Sequence, residues 1–206
     1  AFGSKVTLIE ALPSILNNFD QEQVEVIEKR LKKDKVSFFT NTLVTKIVTK
    51  NDKATLSLNN GESLEATLVL VAAGRRANLS PLTDQFPIKT VKNAIDVNEY
   101  GQTSVANIYA AGDVTALNML AHAAYHMGEV VTNNICIDLG LIESSKQKIN
   151  LDIVPSVVYS DLEVASVGIT EKEAAKKYET VVGKFPLSAN GRALTAGYSD
   201  GFIKVV

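Results

Sequence analysis

The chain of 206 residues has no tryptophan, a single cysteine, two methionines and two histidines. One cysteine, Cys136, excludes an intrachain disulfide, so dithiol chemistry cannot be run by this polypeptide alone. Its surroundings, NNICIDLG, are apolar and helical in pattern, which reads as an inert, packed thiol. No apolar run approaches the roughly 20 residues needed to span a bilayer. The opening AFGSKVTLIE has neither the charged flank nor the apolar block of a signal peptide, so the cytoplasm is the expected compartment. The formal net charge is -2, with 21% charged residues of both signs, which leaves no basic field for nucleic acid or anionic lipid. None of the 12 glycines forms G-x-G-x-x-G. A hydrophobic content of 46% supplies the core of one large domain or two modest ones.

Periodicity then divides the chain. Residues 1–3 read as the frayed end of something longer, because a strand pattern over 6–9 starts with no cap or turn before it. A helix is expected from Asp20, with Asp20 as N-cap, Gln23 as its capping-box partner and Phe19 stapled to Val24. Its apolar stripe is Val24, Ile27 and Leu31. A β-branched run over 40–49 follows, then an alternating run with Ala54, Leu56 and Leu58 on one face. The turn-rich NDK and NNGE mark these as an antiparallel meander. Residues 68–73 are continuously apolar, as for a strand covered on both faces. GRRANLSPLTDQFP is polar, punctuated by proline, and reads as a surface crossover.

Two short strands are expected within 91–114, and a helix over 119–138 with Leu120, Ala123, Ala124, Met127, Val130 and Val131 turned inward. Residues 143–150 are a linker candidate. Strands VPSVVYS and ASVGI then flank a helix at TEKEAAKKY, whose Thr170 and Glu173 form a cap signature. Strands over 181–185 and 201–206 close the chain.

The richest stretch is NIYAAGDV at 107–114, followed by MLAHAA at 119–124. An apolar strand, a Gly-Asp turn and a helix of small residues let backbone and one carboxylate approach a large ligand. Asp113 fits two descriptions, an ordinary turn or N-cap residue and an acceptor for a ligand hydroxyl. Glu10, at the end of the first strand, is either simply solvated or the acidic group that accepts from ribose hydroxyls in a nucleotide-binding βαβ unit. His122 and His126 have the spacing of two zinc ligands, but no Glu lies between them as in H-E-x-x-H and no third ligand is apparent, so no metal site is expected.

Together with KVTLIE, LVLVAAGRRAN, VPSVVYSDLEVASVG, FPLSANGRAL and GFIKVV, these motifs resemble, in one order, the pyridine nucleotide-disulfide oxidoreductases. The LAH form resembles the dihydrolipoamide branch. The resemblance implies an α/β chain in three parts: the C-terminal part of an NAD-binding domain with a β-meander (1–75), a central FAD-contacting segment (76–147), and the start of an α+β interface domain (148–206). It implies NAD contacts at Glu10, Val44 and Gly74, the glycine allowing close backbone approach. It implies FAD contacts at Gly112, Asp113, Met119, Leu120, Ala121 and His122, with a helix N-terminus that favours negative charge on reduced flavin.

The family's N-terminal flavin fingerprint, redox cysteine pair and C-terminal His-Glu pair have no counterpart here. The chain is therefore expected to be a fragment, inactive alone and without catalytic residues of its own. Implied partners are a second copy of the chain, with Tyr159, Phe185, Arg192 and Phe202 either at that contact or in an ordinary core, and the lipoyl domain of a 2-oxo acid dehydrogenase complex. SDLEVASVG and the loop before the helix leave a mercuric reductase or an NAD(P) transhydrogenase open, and a non-catalytic module that dimerises through the last third of the chain is a rival of another class.

Overall fold

The computed structural model of the protein describes residues 3–79 and 82–206. The frayed start expected at 1–3 lies, except for Gly3, outside the described residues, as do Ser80 and Pro81 of the expected crossover. The class is α/β, in two compact units: residues up to 71 together with 157–206, and the contiguous stretch 72–156.

The first unit begins with β1 (Thr7–Ile9), α1 (Gln21–Lys33) and β2 (Ser37–Phe39), β1 and β2 pairing in parallel with Thr7 beside Ser37. Helix α1 starts where expected, with the Asp20 carboxylate accepting from the Glu22 amide at 3.0 Å. Gln23 does not complete a capping box. Its Nε2 donates instead to the Ala165 carbonyl at 3.0 Å, a partner 142 residues away. Phe19, Val24 and Ile27 join Ile15 and Val164 in one core, against which Leu8, Leu31, Phe38, Val158 and Leu162 pack. The apolar stripe of α1 is therefore shared between the beginning and the end of the chain.

The expected meander forms as β3 (Val44–Lys50), β4 (Lys53–Leu58) and β5 (Ser63–Ala66), paired in that order and antiparallel. Ala54, Leu56 and Leu58 are its buried face. The buried strand expected at 68–73 does not form: Leu68 and Leu70 are 85% and 87% exposed. A strand covered on both faces needs neighbours to take its backbone hydrogen bonds, and among the described residues no strand pairs with it.

The rest of this unit comprises β8 (Ser156–Val158, whose first residue falls in the second unit), β9 (Val164–Ser166), α4 (Glu171–Ala174), β10 (Gly183–Pro186), α5 (Gly191–Ala196) and β11 (Phe202–Val205). The capping box is present, with Glu173 N donating to Thr170 Oγ1 at 3.3 Å and Thr170 N to Glu173 Oε2 at 2.9 Å. Yet α4 spans four residues rather than nine, because Ala174 is its only buried residue and one turn cannot propagate without an apolar stripe. Residues of ANGRAL, read as part of an interface, form α5, with Asn190 accepting from the Ala193 amide at 2.9 Å.

In the second unit, α2 (Leu82–Gln85) precedes the hairpin β6 (Thr90–Val91) and β7 (Ala94–Ile95). NIYAAG is not a strand. It contributes an isolated bridge, Tyr109 to Gln102, and then a 3-10 turn at Gly112–Thr115. Helix α3 (Ala121–Asp138) buries Ala123, Met127, Val130, Val131 and Asn134. The stretch 143–150 is no free linker. Asn134, fully buried, donates to the Gln147 carbonyl at 2.9 Å and accepts from the Gln147 amide at 2.8 Å, and Lys146 pairs with Asp138 at 2.7 Å.

Candidate functional site

The densest group of expected site residues lies in the second unit, where the 3-10 turn leads into α3. Gly112 has φ +76, and a Cβ built on it would stand 3.1 Å from the Ala124 Cβ. Only glycine combines that backbone with that closeness to α3. Thr115, buried, donates from Oγ1 to the Gly112 carbonyl at 2.8 Å and locks the turn. Ala116 follows in the left-handed region at φ 51, its N–H donating to the Asp113 carbonyl at 3.1 Å. The Asp113 side chain is left exposed at the mouth of the turn.

Leu120 is the N-cap of α3 and supplies no side-chain hydrogen bond, and the first turn has no acidic residue. Its first N–H groups keep no side-chain cap, which leaves a positive helix end without a counter-charge of its own. Met119 is fixed by Arg75, whose Nη1 donates to its carbonyl at 2.8 Å. His122 is exposed and its Nε2 bonds the Pro155 carbonyl. A carbonyl can only accept, so Nε2 carries the proton. An open trough of about 810 Å³ runs from Ala121 along α3, past Ala124 and Gly128 to Asn133.

The residues expected to hold a nicotinamide cofactor are divided between the units. Glu10 follows β1, its amide bonded to the Phe39 carbonyl and its Oε1 accepting from the Leu12 amide at 2.9 Å. Val44 opens β3 beside a bulge and is half exposed. Both belong to the first unit. Gly74 belongs to the second, at φ +97 with no protein atom within 4 Å of a built Cβ. Within the chain it is the backbone that demands glycine at 74, whereas at 112 backbone and neighbour both do.

Tyr159, Phe185 and Arg192 are exposed and Phe202 is half-buried, so the first three are not core. Cys136 is half-buried. Arg75 was not singled out by the sequence, although GRR directly after an apolar run is a usable sign of a cation that needs a partner. Lys204 was missed as well. Among the described residues, Asp20, Glu22 and Glu171 form the one cluster of metal-type ligands, and the Lys204 ammonium lies among them.

With this geometry in view, the chain belongs to the pyridine nucleotide-disulphide oxidoreductase family, whose model matches residues 1–128. That family's dimerisation domain matches residues 154–206. Dihydrolipoyl dehydrogenase of Geobacillus stearothermophilus is 38% identical over the whole chain, which covers 43% of that relative. Mercuric reductase of Staphylococcus aureus is 36% identical over 99% of the chain and 37% of that relative. Among solved structures, LpdA of Mycobacterium tuberculosis superposes with a TM-score of 0.87 at 25% identity, covering 98% of this chain and 43% of that one. The chain thus spans less than half the length of the relatives it matches. No helix among the described residues is long and apolar enough to cross a membrane.

Proposed function

We propose that this chain is part of a flavoprotein that moves electrons between NAD(H), FAD and a dithiol, with dihydrolipoamide as the dithiol. The observation that carries this reading is the Gly112–Asp113 turn, packed by Gly112 against Ala124 of α3, with the Asp113 carboxylate exposed and the N-terminus of α3 free of a side-chain cap. The residues present fit FAD. Asp113 would accept a ribityl hydroxyl, the backbone of 119–122 would face the flavin pyrimidine, and the helix end would favour the negative charge of the reduced ring. The bound flavin supplies two-electron transfer between nicotinamide and thiol.

What this chain's own residues do is bind and orient. Gly112 lets the turn approach α3, Thr115 holds it, Arg75 fixes Met119, and His122, anchored on Pro155, holds the first turn of α3 in place. Glu10 would accept from the ribose of NAD and repel a 2'-phosphate. Functionally we assign 1–75 to NAD binding, 76–147 to FAD contact and 148–206 to the interface. The 148 boundary falls between the two family matches. A homodimer and docking of a lipoyl domain belong to the same reading, the dimer supported by the dimerisation match. A cytoplasmic location goes with it, since that compartment keeps thiols reduced.

Adding FAD to the purified 206-residue chain tests the site. Saturable quenching of flavin fluorescence is expected, weakened about tenfold in Asp113→Ala, the loss of one charge-assisted hydrogen bond. It should be abolished in Gly112→Val. Quenching unchanged in both variants would show that the flavin does not use this turn. Because Cys136 is alone, no lipoamide reduction by NADH is expected from this chain. The mercuric reductase likeness keeps a second dithiol chemistry in view, and the complete protein's turnover with lipoamide against Hg(II) separates the two.

A further inference from the structure

Three elements of the first unit meet at Lys204. Its Nζ lies 2.9 Å from Asp20, 2.6 Å from Glu22 and 2.6 Å from Glu171, with the side chain 8% exposed. Asp20 and Glu22 belong to the start of α1, Glu171 to α4 and Lys204 to β11. Burial opposes the ammonium charge, but the bonds to Glu171, Glu22 and Asp20 outweigh it and hold Lys204 above the ordinary lysine range. Across the hairpin, Lys204 stands directly opposite Lys184. Two like charges in register repel. Here Glu22 bridges them, one oxygen to each lysine.

The apolar core already brings these segments together, yet burial is non-directional and sets no register along α1. A three-donor ammonium matched to three carboxylates does. Sliding β11 by one residue would turn Lys204 outward and present Ile203 to three carboxylates. We propose that Lys204 is a latch that docks the β10–β11 hairpin on the start of α1 in one register, so that the first and last segments of the chain open as one unit. Its contribution is specificity of docking more than net stability, the best-attested use of a buried ionic group.

Amide hydrogen exchange on the full 206-residue chain tests this. In the parent chain, protection of β11 and of α1 should agree within about threefold. Lys204→Met strands three carboxylates and should lower both by roughly a hundredfold. Lys184→Met, which removes an exposed partner, should change either by less than about threefold. The charge-free variant D20N/E22Q/E171Q/K204M should return α1 to within about tenfold of the parent while β10–β11 stays at least about tenfold less protected, the mark of lost register. The latch is overturned if Lys204→Met lowers protection less than threefold, or if the charge-free variant restores the hairpin together with α1. Should Lys204→Met not fold, the charge-free variant decides alone: a hairpin still at least about tenfold less protected than in the parent supports the latch, and a hairpin restored together with α1 overturns it.

Discussion

The two compact units are held together by different means. The second is one contiguous stretch, closed by the packing of α3 and by a single buried amide, Asn134, that satisfies the Gln147 backbone. The first joins pieces from opposite ends of the chain, and at their junction three carboxylates meet around Lys204. Contiguous chain needs little beyond shape to find its partners. Pieces separated by some 180 positions need something that distinguishes right from wrong docking, and paired charge does that better than methyl groups. The second unit should therefore answer to changes of volume and the first to changes of charge.

The largest effect that could break this contrast is a cavity under α3. Met127 is fully buried, and Met127→Ala should destabilise the second unit by about 2–5 kcal/mol in urea unfolding. Exchange in α1 should be nearly unchanged, and an equal loss in both units would mean that they unfold together. Next, Gly101→Ala should destabilise the second unit by about 1–3 kcal/mol, because a Cβ at φ +82 would stand 2.4 Å from Val131 Cγ2. A loss below about 0.5 kcal/mol would show that Val131 yields freely.

Acid sharpens the contrast through screening. Hydrogen bonds from Lys184 and Lys204 hold Glu22 below its ordinary 4.5, and Lys146, then Tyr109, hold Asp138 below 3.8. Each depressed carboxyl contributes stability that is present above its unfolded value and lost as pH falls through the folded one. The first unit should therefore weaken below about pH 4.5 and the second below about pH 3.8. Added salt should blunt this more at Asp138 than at the Lys204 cluster, since Lys146 is 28% exposed and Lys204 8%. Equal blunting, measured by exchange at several salt concentrations, would remove the distinction. The smallest effect concerns α4: Thr170→Ala removes the capping box and should cost about 1 kcal/mol, confined to the first unit.

Much of this was legible in the sequence because it depended on neighbours. The Asp20 and Thr170 caps, the Val24–Ile27 stripe, the buried face Ala54, Leu56 and Leu58, and the inward face of α3 each follow from residues within one or two turns or one hairpin. The GDV turn and LAH helix start were likewise visible as local chemistry. Where the reading failed, the deciding partner was remote or missing. Residues 68–73 have the apolar composition of a covered strand, but composition supplies no neighbour to pair with. Gln23 has the spacing of a capping-box residue and was claimed instead by Ala165.

By itself, then, the sequence determined the α/β class, the caps, the meander, the small-residue helix and the family to which these motifs belong, because each is encoded within a few positions. Only the tertiary structure decided that α1 is shared between both ends of the chain, that Arg75 reaches Met119, and that Lys204 finds three carboxylates. Those contacts join residues 33 to 184 positions apart, and no periodicity or spacing can specify which distant side chain will meet a buried charge.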